Sequence, residues 1–296
     1  MTGFLQGTAT AMITPFAGSG VNFDAFGEML EYQIAGGTDM LVILGTTGEP
    51  ATMTEEEKTA VMEFAVKKAK GRIKLVFGCG SNCTAHAVEA AKRAAEIGAD
   101  GLLAVTPYYN KCTQNGLVAY YESVCGATDL PVIAYSVPSR TGVEILPATM
   151  EKLADIPNMA GLKDAGGNMS RTMDTLRRIR GKCDLYSGDD NLNLPILAVG
   201  GSGVISVLSN LVPADVKKMY SLLKSGKAEE AFALADRLLP LAQACFVEVN
   251  PIPAKAAMNL LGFAAGTPRA PLSEIEPENL EKLRAAMKNY GLKVKA

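Results

Sequence analysis

The sequence predicts an α/β protein, a (β/α)8 TIM barrel with a C-terminal helical extension. Short apolar runs rich in β-branched residues recur about every 18–34 residues along the first three quarters of the chain. Each run is followed by a turn and an amphipathic helical pattern. This alternation is typical of parallel sheets, whose strands need crossover connections. An open doubly wound sheet is the alternative, but the number of runs favours closure into a barrel.

The predicted strands share aliphatic or β-branched residues and flanking turn residues. In chain order they are Thr8–Ile13, Met40–Leu44, Ile73–Phe77, Gly101–Val105, Pro131–Tyr135, Met159–Lys163, Asp184–Ser187 and Gly203–Val207. The helix after the second strand opens with Thr54 followed by Glu57, which is the pattern of a capping box. The helix after the third strand is predicted to begin at Thr84 and to stop at Gly98.

The strand patterns stop after about Val212, and the rest of the chain contains only helical patterns. These patterns run through Leu238–Phe246, then follow Pro251, and end around Leu280–Tyr290. We interpret residues 1–225 as the catalytic barrel and residues 226–296 as a helical domain packed on it. No Ser- or Gly-rich linker separates the two, which argues against an independent module.

Composition excludes several classes of protein. A net charge of -2 gives no reason to expect nucleic acid or an anionic membrane as partner. Six scattered cysteines without a C-x-x-C pair, together with a single histidine, predict no metal site. The chain opens without the basic and apolar regions of a signal peptide, and no stretch approaches the ~20 apolar residues of a membrane span. We therefore expect a cytoplasmic location.

Lys163 is the most informative residue, because it ends a short apolar strand. Burial disfavours a charged amine, and lowering its pKa by roughly 3 units corresponds to about 4 kcal/mol of differential solvation. The result is a neutral, nucleophilic amine near pH 7, the species that attacks a carbonyl to form a Schiff base. The plain alternative is a strand-end lysine that reaches solvent.

Other polar residues follow the carboxyl ends of strands, where such barrels build their active sites. Thr46 and Thr47 lie in a glycine-flanked turn suited to a carboxylate. Tyr135 ends the strand before that of Lys163, and neighbouring strands lie about 4.8 Å apart. If both side chains face inward, the phenol can exchange protons with a group on the amine. Arg140 follows in a Pro-Ser-Arg-Thr-Gly turn suited to clamping a carboxylate. The alternatives are a core tyrosine and a solvated arginine.

Seven motifs occur together and in order: G-T-T-G-E, T-P-Y-Y-N, Y-x-V-P-S-R-T-G, G-L-K-D-A, S-G-D-D, G-V-I-S-V and N-P-I-P-x-K. The set resembles dihydrodipicolinate synthase, a family of lysine-dependent pyruvate aldolases with a barrel fold. The resemblance runs from about Gly7 to the last helix. It implies that pyruvate condenses with L-aspartate 4-semialdehyde on the route to diaminopimelate and lysine. It also implies that no metal or organic cofactor is needed and that the protein is a homotetramer built as a dimer of dimers.

The resemblance also implies which residues carry the chemistry. By this carry-over Lys163 forms the imine with pyruvate. Thr46, Tyr135 and Tyr109 form a hydrogen-bonded proton relay, in which Tyr109 reaches across the dimer interface from a neighbouring subunit. The pyruvate methyl group of the imine becomes acidic, and the relay then supplies acid and base without a histidine.

The substrate-binding residues are implied in the same way. The turn at Thr46 and Thr47 holds the carboxylate of pyruvate, and Arg140 anchors the carboxylate of the semialdehyde. The backbone carbonyls of Gly188 and Ile205 match positions that the family associates with the site. None of these roles follows from composition or spacing alone.

The sequence departs from the family pattern in two places. The usual asparagine after the tyrosine of the fifth strand is Ser136, which we expect to tune the turn without loss of activity. Members inhibited by lysine bind it through six residues, whose positions here hold Pro50, Glu55, Lys58, Asn82, His86 and Tyr108. Only Asn82 and Tyr108 match. Lys58 would repel the ammonium of lysine and His86 replaces the balancing glutamate, so we expect weak or absent inhibition.

Two further functions fit parts of the pattern. N-acetylneuraminate lyase or a 2-keto-3-deoxy sugar-acid aldolase would share Lys163 and Tyr135, but Arg140 favours a small acceptor that bears a carboxylate. A non-catalytic barrel used for ligand sensing or assembly would be expected to lose the lysine or the tyrosine. Both residues are present, which argues against that reading.

Overall fold

The computed structural model describes residues 2–295. Eight parallel strands close into a barrel, which confirms the predicted fold class. The strands are β1 Gly7–Ala11, β2 Met40–Ile43, β3 Lys74–Gly78, β4 Gly101–Val105, β5 Val132–Ser136, β6 Met159–Asp164, β7 Asp184–Ser187 and β8 Gly203–Ser206. They follow one another around the barrel in chain order, and β8 is the neighbour of β1.

Helices connect the strands and form the C-terminal part of the chain. They are α1 Phe23–Ala35, α2 Glu55–Ala69, α3 Thr84–Ile97, α4 Gln114–Cys125, α5 Pro138–Thr141, α6 Pro147–Leu153, α7 Met169–Ile179, α8 Asn193–Ala198, α9 Pro213–Lys224, α10 Ala228–Ala244, α11 Ile252–Leu261 and α12 Pro277–Tyr290. No strand follows β8 within residues 207–295, so the predicted helical extension is confirmed. Within residues 2–295, no helix is both long and apolar enough to cross a membrane.

Local sequence signals explain where several elements begin and end. The capping box of α2 is present: Glu57 N donates to Thr54 Oγ1, and Thr54 N donates to Glu57 Oε2. Helix α3 begins at Thr84, and Gly98 ends it with a left-handed φ of 107°. The predicted bounds of two strands, Gly101–Val105 and Asp184–Ser187, are confirmed, and those of the other six differ by one or two residues at one or both ends. For example, β2 stops at Ile43, because Leu44 adopts a left-handed φ of 58° that no strand can continue.

A short hairpin and a one-turn helix are among the elements that were not predicted. An antiparallel hairpin pairs Phe16–Ala17 with Gly20–Val21 in the connection after β1. The one-turn helix α5 follows β5 directly. Both are too short to give a recognisable hydrophobic period.

The chain divides into two compact units. The first comprises the residues up to Gly7 and Leu75–Ile205, and the second comprises Thr8–Lys74 and the residues from Ser206 onward. The first unit contains six candidate residues, namely Tyr109, Tyr135, Arg140, Lys163, Gly188 and Ile205. The second contains Thr46 and Thr47.

Candidate active site

Lys163 and Tyr135 lie side by side at the carboxyl ends of β6 and β5. Lys163 is in register with Tyr135 on one side and with Tyr186 of β7 on the other. Residues in register on neighbouring parallel strands point to the same side of the sheet. The Lys163 Nζ atom lies 4.3 Å from the centroid of the Tyr135 ring. The structure thus brings together the two residues that the sequence placed at consecutive strand ends.

Burial changes the acid–base behaviour of Lys163, whose side chain is only 4% exposed. The pKa of Lys163 is lowered from 10.5 to about 8, mainly by loss of hydration. The carboxylate of Asp190 opposes this shift, and the charge of Arg140 adds to it. At pH 7 a pKa near 8 leaves about a tenth of the amine neutral, against roughly three parts in ten thousand for an ordinary lysine. The expected direction of the pKa shift is confirmed.

Gly188 provides the space in which the Lys163 side chain packs. It directly follows β7, and its N–H donates to the Asp164 carbonyl at 2.7 Å. A Cβ atom built on Gly188 would lie 2.9 Å from both Cγ and Cε of Lys163, closer than real Cβ contacts come. The residue opposite the lysine stem must therefore lack a side chain. Ile205 lies within β8 and is buried.

Ser136 and Arg140 lie in the connection that leaves β5. Ser136 is buried, and its hydroxyl accepts a hydrogen bond from Ile145 N at 3.1 Å, which ties the end of β5 to the segment before α6. Arg140 lies in the short helix α5, which ends at Gly142 with a φ of 71°. Its side chain is exposed, while its charge is close enough to lower the pKa of Lys163.

Tyr109 lies on the surface of the chain. Its side chain is 88% exposed, and its φ of 74° is in the left-handed region, as is the φ of 46° at Lys111. Asn110 braces this loop by donating from its side chain to the carbonyl of Asn82 at 2.9 Å. Positive φ values at non-glycine residues are costly, and they cluster at functional sites.

Thr46 and Thr47 lie in a tight turn after β2. Residues Thr46–Gly48 form one turn of 3-10 helix, in which Gly48 N donates to the Gly45 carbonyl at 2.8 Å. Thr46 is partly exposed, whereas Thr47 is buried. The Thr47 hydroxyl accepts a hydrogen bond from the Asn250 side-chain amide at 2.9 Å. Sequence reasoning assigned no role to Asn250, although the N-P-I-P-x-K motif that contains it was one of the family signals.

Burial leaves several of the cysteine thiols in an unreactive form. All six cysteines are free thiols, and burial raises the pKa of Cys79 and that of Cys125 to about 12. Thiols with such a pKa stay protonated and unreactive near neutral pH. In the described part of the chain, no three His, Cys, Asp or Glu residues are grouped so that they could hold a metal ion.

Comparison with known proteins identifies the family. The dihydrodipicolinate synthetase family model matches residues 4–290. A 4-hydroxy-tetrahydrodipicolinate synthase from Caldicellulosiruptor bescii is 44% identical over 291 residues, covering 98% of each chain. The crystal structure of dihydrodipicolinate synthase from Aquifex aeolicus matches with a TM-score of 0.96 and 43% identity, over 98% of this chain and 100% of the other.

A further solved structure, described as the first monomeric dihydrodipicolinate synthase variant, matches with a TM-score of 0.96 and 37% identity. It covers 98% of both chains. These similarities extend over the barrel and the helical extension together, at identities well above those at which only the fold is shared. The chain therefore belongs to the dihydrodipicolinate synthetase family of enzymes.

Proposed function

We propose that the chain condenses pyruvate with L-aspartate 4-semialdehyde through a Schiff base on Lys163, forming 4-hydroxy-tetrahydrodipicolinate. The observation that carries this proposal is the buried amine of Lys163, with its lowered pKa, beside the Tyr135 ring. A desolvated lysine at the carboxyl end of a barrel strand suits carbonyl chemistry. Family membership supports the choice of pyruvate and of the semialdehyde.

In the first step the neutral amine of Lys163 attacks C2 of pyruvate. A carbon–nitrogen bond forms, water leaves, and the nitrogen ends as a protonated imine. This iminium withdraws electrons from the C3 methyl group, so a base can remove a C3 proton to give an enamine. The centroid of the Tyr135 ring lies 4.3 Å from the Lys163 amine, and we assign its phenol the proton transfers at this centre together with Thr46 and Tyr109.

In the second step the enamine carbon attacks the aldehyde of the semialdehyde. A carbon–carbon bond forms, the iminium is regenerated, and the new alkoxide takes a proton from the relay. The amino group of the acceptor then attacks C2 and Lys163 leaves as the free amine, which closes a six-membered ring. Over the whole sequence one molecule of water is released, and no electrons are gained or lost.

Binding of the two carboxylates is assigned to the turn residues. Thr46 and Thr47 hold the pyruvate carboxylate with hydroxyl and backbone N–H groups, as glycine-flanked turns hold anions. Arg140 holds the carboxylate of the semialdehyde, because a guanidinium can donate two parallel hydrogen bonds to it. The carbonyls of Gly188 and Ile205 complete the site as acceptors.

We further propose that the protein works as a homotetramer in the cytoplasm, with Tyr109 supplied to each site across a dimer interface. The exposed Tyr109 ring on its strained loop supports an interface at this surface. The proposal makes the relay incomplete in an isolated protomer. A monomeric relative is known within the family, so the oligomeric state of this chain must be measured in its own right, by sedimentation.

The decisive experiment is pyruvate consumption by the purified protein with and without L-aspartate 4-semialdehyde. Consumption that requires the semialdehyde supports the proposal. If nothing is consumed, yet borohydride still links pyruvate irreversibly to Lys163, the imine chemistry is right and the acceptor is wrong. A sugar acid would then be the acceptor to test next.

The rate of imine formation should rise with pH through about 8 and then level off. Only the neutral amine attacks, and burial gives Lys163 a pKa of about 8, so the reactive fraction grows until that pH is passed. The measurement is the initial rate of borohydride trapping at subsaturating pyruvate between pH 6 and pH 9.5. A rate that still rises about tenfold per pH unit up to pH 9.5 would show that Lys163 titrates like an ordinary exposed lysine.

Replacing Gly188 by alanine should slow borohydride trapping of pyruvate by about tenfold or more, because the lysine stem must leave its packed position. The matched control is Gly20→Ala, since a Cβ atom at Gly20 meets nothing within 4 Å. Both variants are compared with wild type in trapping rate and in thermal unfolding. A Gly188→Ala protein that reacts at the wild-type rate would show that Lys163 does not need this space.

Added L-lysine should inhibit turnover weakly or not at all. Lys58, at one of the family's lysine-contacting positions, would place its own ammonium beside that of an incoming lysine and repel it. Its contact with Glu55 at 2.7 Å is an exposed ion pair, which neutralises this repulsion only weakly. The measurement is the initial rate with L-lysine varied up to 10 mM at fixed substrates. Half-inhibition below 1 mM would contradict the prediction.

A further inference from the structure

A buried ion pair that plays no part in the proposed reaction lies behind the Thr46–Thr47 turn. Lys255, in α11, is completely buried, and its Nζ atom lies 2.6 Å from Oε1 of Glu49, whose side chain is 1% exposed. The ammonium also lies 3.9 Å from the centroid of the Phe16 ring and donates to the Thr267 carbonyl at 3.2 Å. Removing two charges from water costs free energy, and their attraction often does no more than offset this cost. A buried ion pair therefore need not stabilise the fold, and another role has to be considered.

Glu49 connects this ion pair to the turn. Its backbone is left-handed, with φ 55° and ψ 38°, and its N–H donates to the Thr46 carbonyl at 3.2 Å. Its second carboxylate oxygen accepts from Arg269 N at 2.9 Å. Both carboxylate oxygens are therefore held by the C-terminal segment, while the backbone of the same residue closes the turn. A glutamate seldom adopts this backbone conformation without such outside restraint.

Asn250 acts on the turn at a second point. Its side-chain amide donates to Oγ1 of Thr47 at 2.9 Å, and both residues are buried. A hydroxyl that accepts a hydrogen bond still carries its own proton, which must then point toward another acceptor. The amide of Asn250 thus presents Thr47 as a hydrogen-bond donor, which is the form that binds a carboxylate.

We propose that Lys255 and Asn250 are positioning residues for pyruvate. Lys255 holds the turn in its conformation through Glu49, and Asn250 orients the hydroxyl of Thr47 toward the substrate carboxylate. That the substrate is pyruvate rests on the proposed function. That Lys255 and Asn250 restrain the turn rests on their contacts with Glu49 and Thr47 alone. The C-terminal segment would then help to bind pyruvate, because it restrains the turn that holds the carboxylate.

The chain offers a matched control at the opposite end of the same strand. Asp39 directly precedes β2, and its Oδ1 atom lies 2.6 Å from Nζ of Lys217 in α9. The two ion pairs therefore connect the same C-terminal helical segment to the two ends of β2. Only the Lys255 pair adjoins the turn, so Lys217→Met loses an ion pair without touching the proposed site.

The test compares Lys255→Met, which keeps an unbranched stem and removes the charge, with Lys217→Met and wild type. We expect hydrogen exchange at the Gly48 and Glu49 amides to become about tenfold faster in Lys255→Met only. Borohydride trapping at subsaturating pyruvate should slow by about tenfold or more in the same variant. If the Lys255–Glu49 pair is purely structural, both variants should lose thermal stability. Hydrogen exchange and borohydride trapping should then stay at the wild-type level in both.

Asn250→Ala supplies the second variant, because it removes the side-chain hydrogen bond to Thr47 and leaves the Lys255–Glu49 ion pair intact. We expect its KM for pyruvate to rise about tenfold with kcat little changed, as for the loss of a contact made equally in ground and transition states. If wild type traps pyruvate and both variants behave like it, the positioning role is wrong while the proposed function stands. If wild type does not trap pyruvate, the proposed function is wrong and the inference fails with it.

Discussion

Replacing Lys163 by methionine should abolish borohydride trapping of pyruvate and, at the same time, stabilise the protein by about 3 kcal/mol at pH 7. Trapping fails because no amine is left at the end of β6. Stability rises because the wild-type amine, with a pKa of about 8 against 10.5 for an ordinary lysine, must lose either its hydration or its proton on folding. Methionine keeps a similar stem and fills the buried site without a charge.

The gain in stability should depend on pH in a defined direction. Between about pH 8 and pH 10.5 the unfolded chain binds more protons at Lys163 than the folded chain does, so wild-type stability rises with pH over this window. Below pH 8 wild type carries the full cost, and the advantage of the variant is constant. Above pH 10.5 the advantage disappears. Urea unfolding of both proteins at pH 7, 9 and 10.5 gives the difference in their free energy of unfolding at each pH.

Lys182→Met is the control for this experiment. Lys182 is an exposed lysine whose ammonium lies 2.6 Å from an Asp155 carboxylate oxygen. Exposed pairs of this kind contribute little to folding, so the variant should keep the wild-type unfolding curve and trap pyruvate normally. If Lys163→Met is no more stable than wild type at pH 7, the amine is better solvated than its burial indicates.

The barrel fold and the burial of Lys163 at a strand end could be predicted, because both depend on short stretches of sequence. Each strand is an apolar run followed by a helical period, and a lysine within such a run stands out without any knowledge of the fold. The ends of the strands were predicted less accurately, because the conformation of a single residue decides where a strand stops. β2 ends early at the left-handed Leu44, and β5 continues one residue further, through the buried Ser136.

The support behind the site could not be predicted, because it joins distant parts of the chain. Asn250 and Thr47 are 203 residues apart, and no pattern in either segment predicts a hydrogen bond to the other. Lys255 is a charged residue within a helical pattern, which local reasoning places on the solvated face, yet its side chain is wholly buried against Glu49. Tyr109 poses a different difficulty, since the role implied for it requires a second subunit.

Replacing Tyr135 by phenylalanine should lower kcat by about a hundredfold or more, the range expected for loss of a positioned acid–base group. The variant keeps the ring whose centroid lies 4.3 Å from Lys163 Nζ, so packing and the cation–π contact remain and only the hydroxyl is removed. Pyruvate should still be trapped by borohydride, although more slowly, because the amine itself is unchanged. Rapid-quench turnover and trapping rates separate the two steps.

Tyr186→Phe is the matched control, because Tyr186 is in register with Lys163 on the opposite side, in β7. Its hydroxyl donates to Asp184 Oδ2 at 3.1 Å, within the same strand. Removing that hydroxyl should affect stability and leave kcat near the wild-type value, since a hydroxyl held by Asp184 cannot also serve the imine. Equal losses of kcat in the two variants would mean that the barrel tolerates neither change and that the phenol of Tyr135 has no special role. A loss confined to Tyr135→Phe would locate the proton transfer on the β5 side of Lys163.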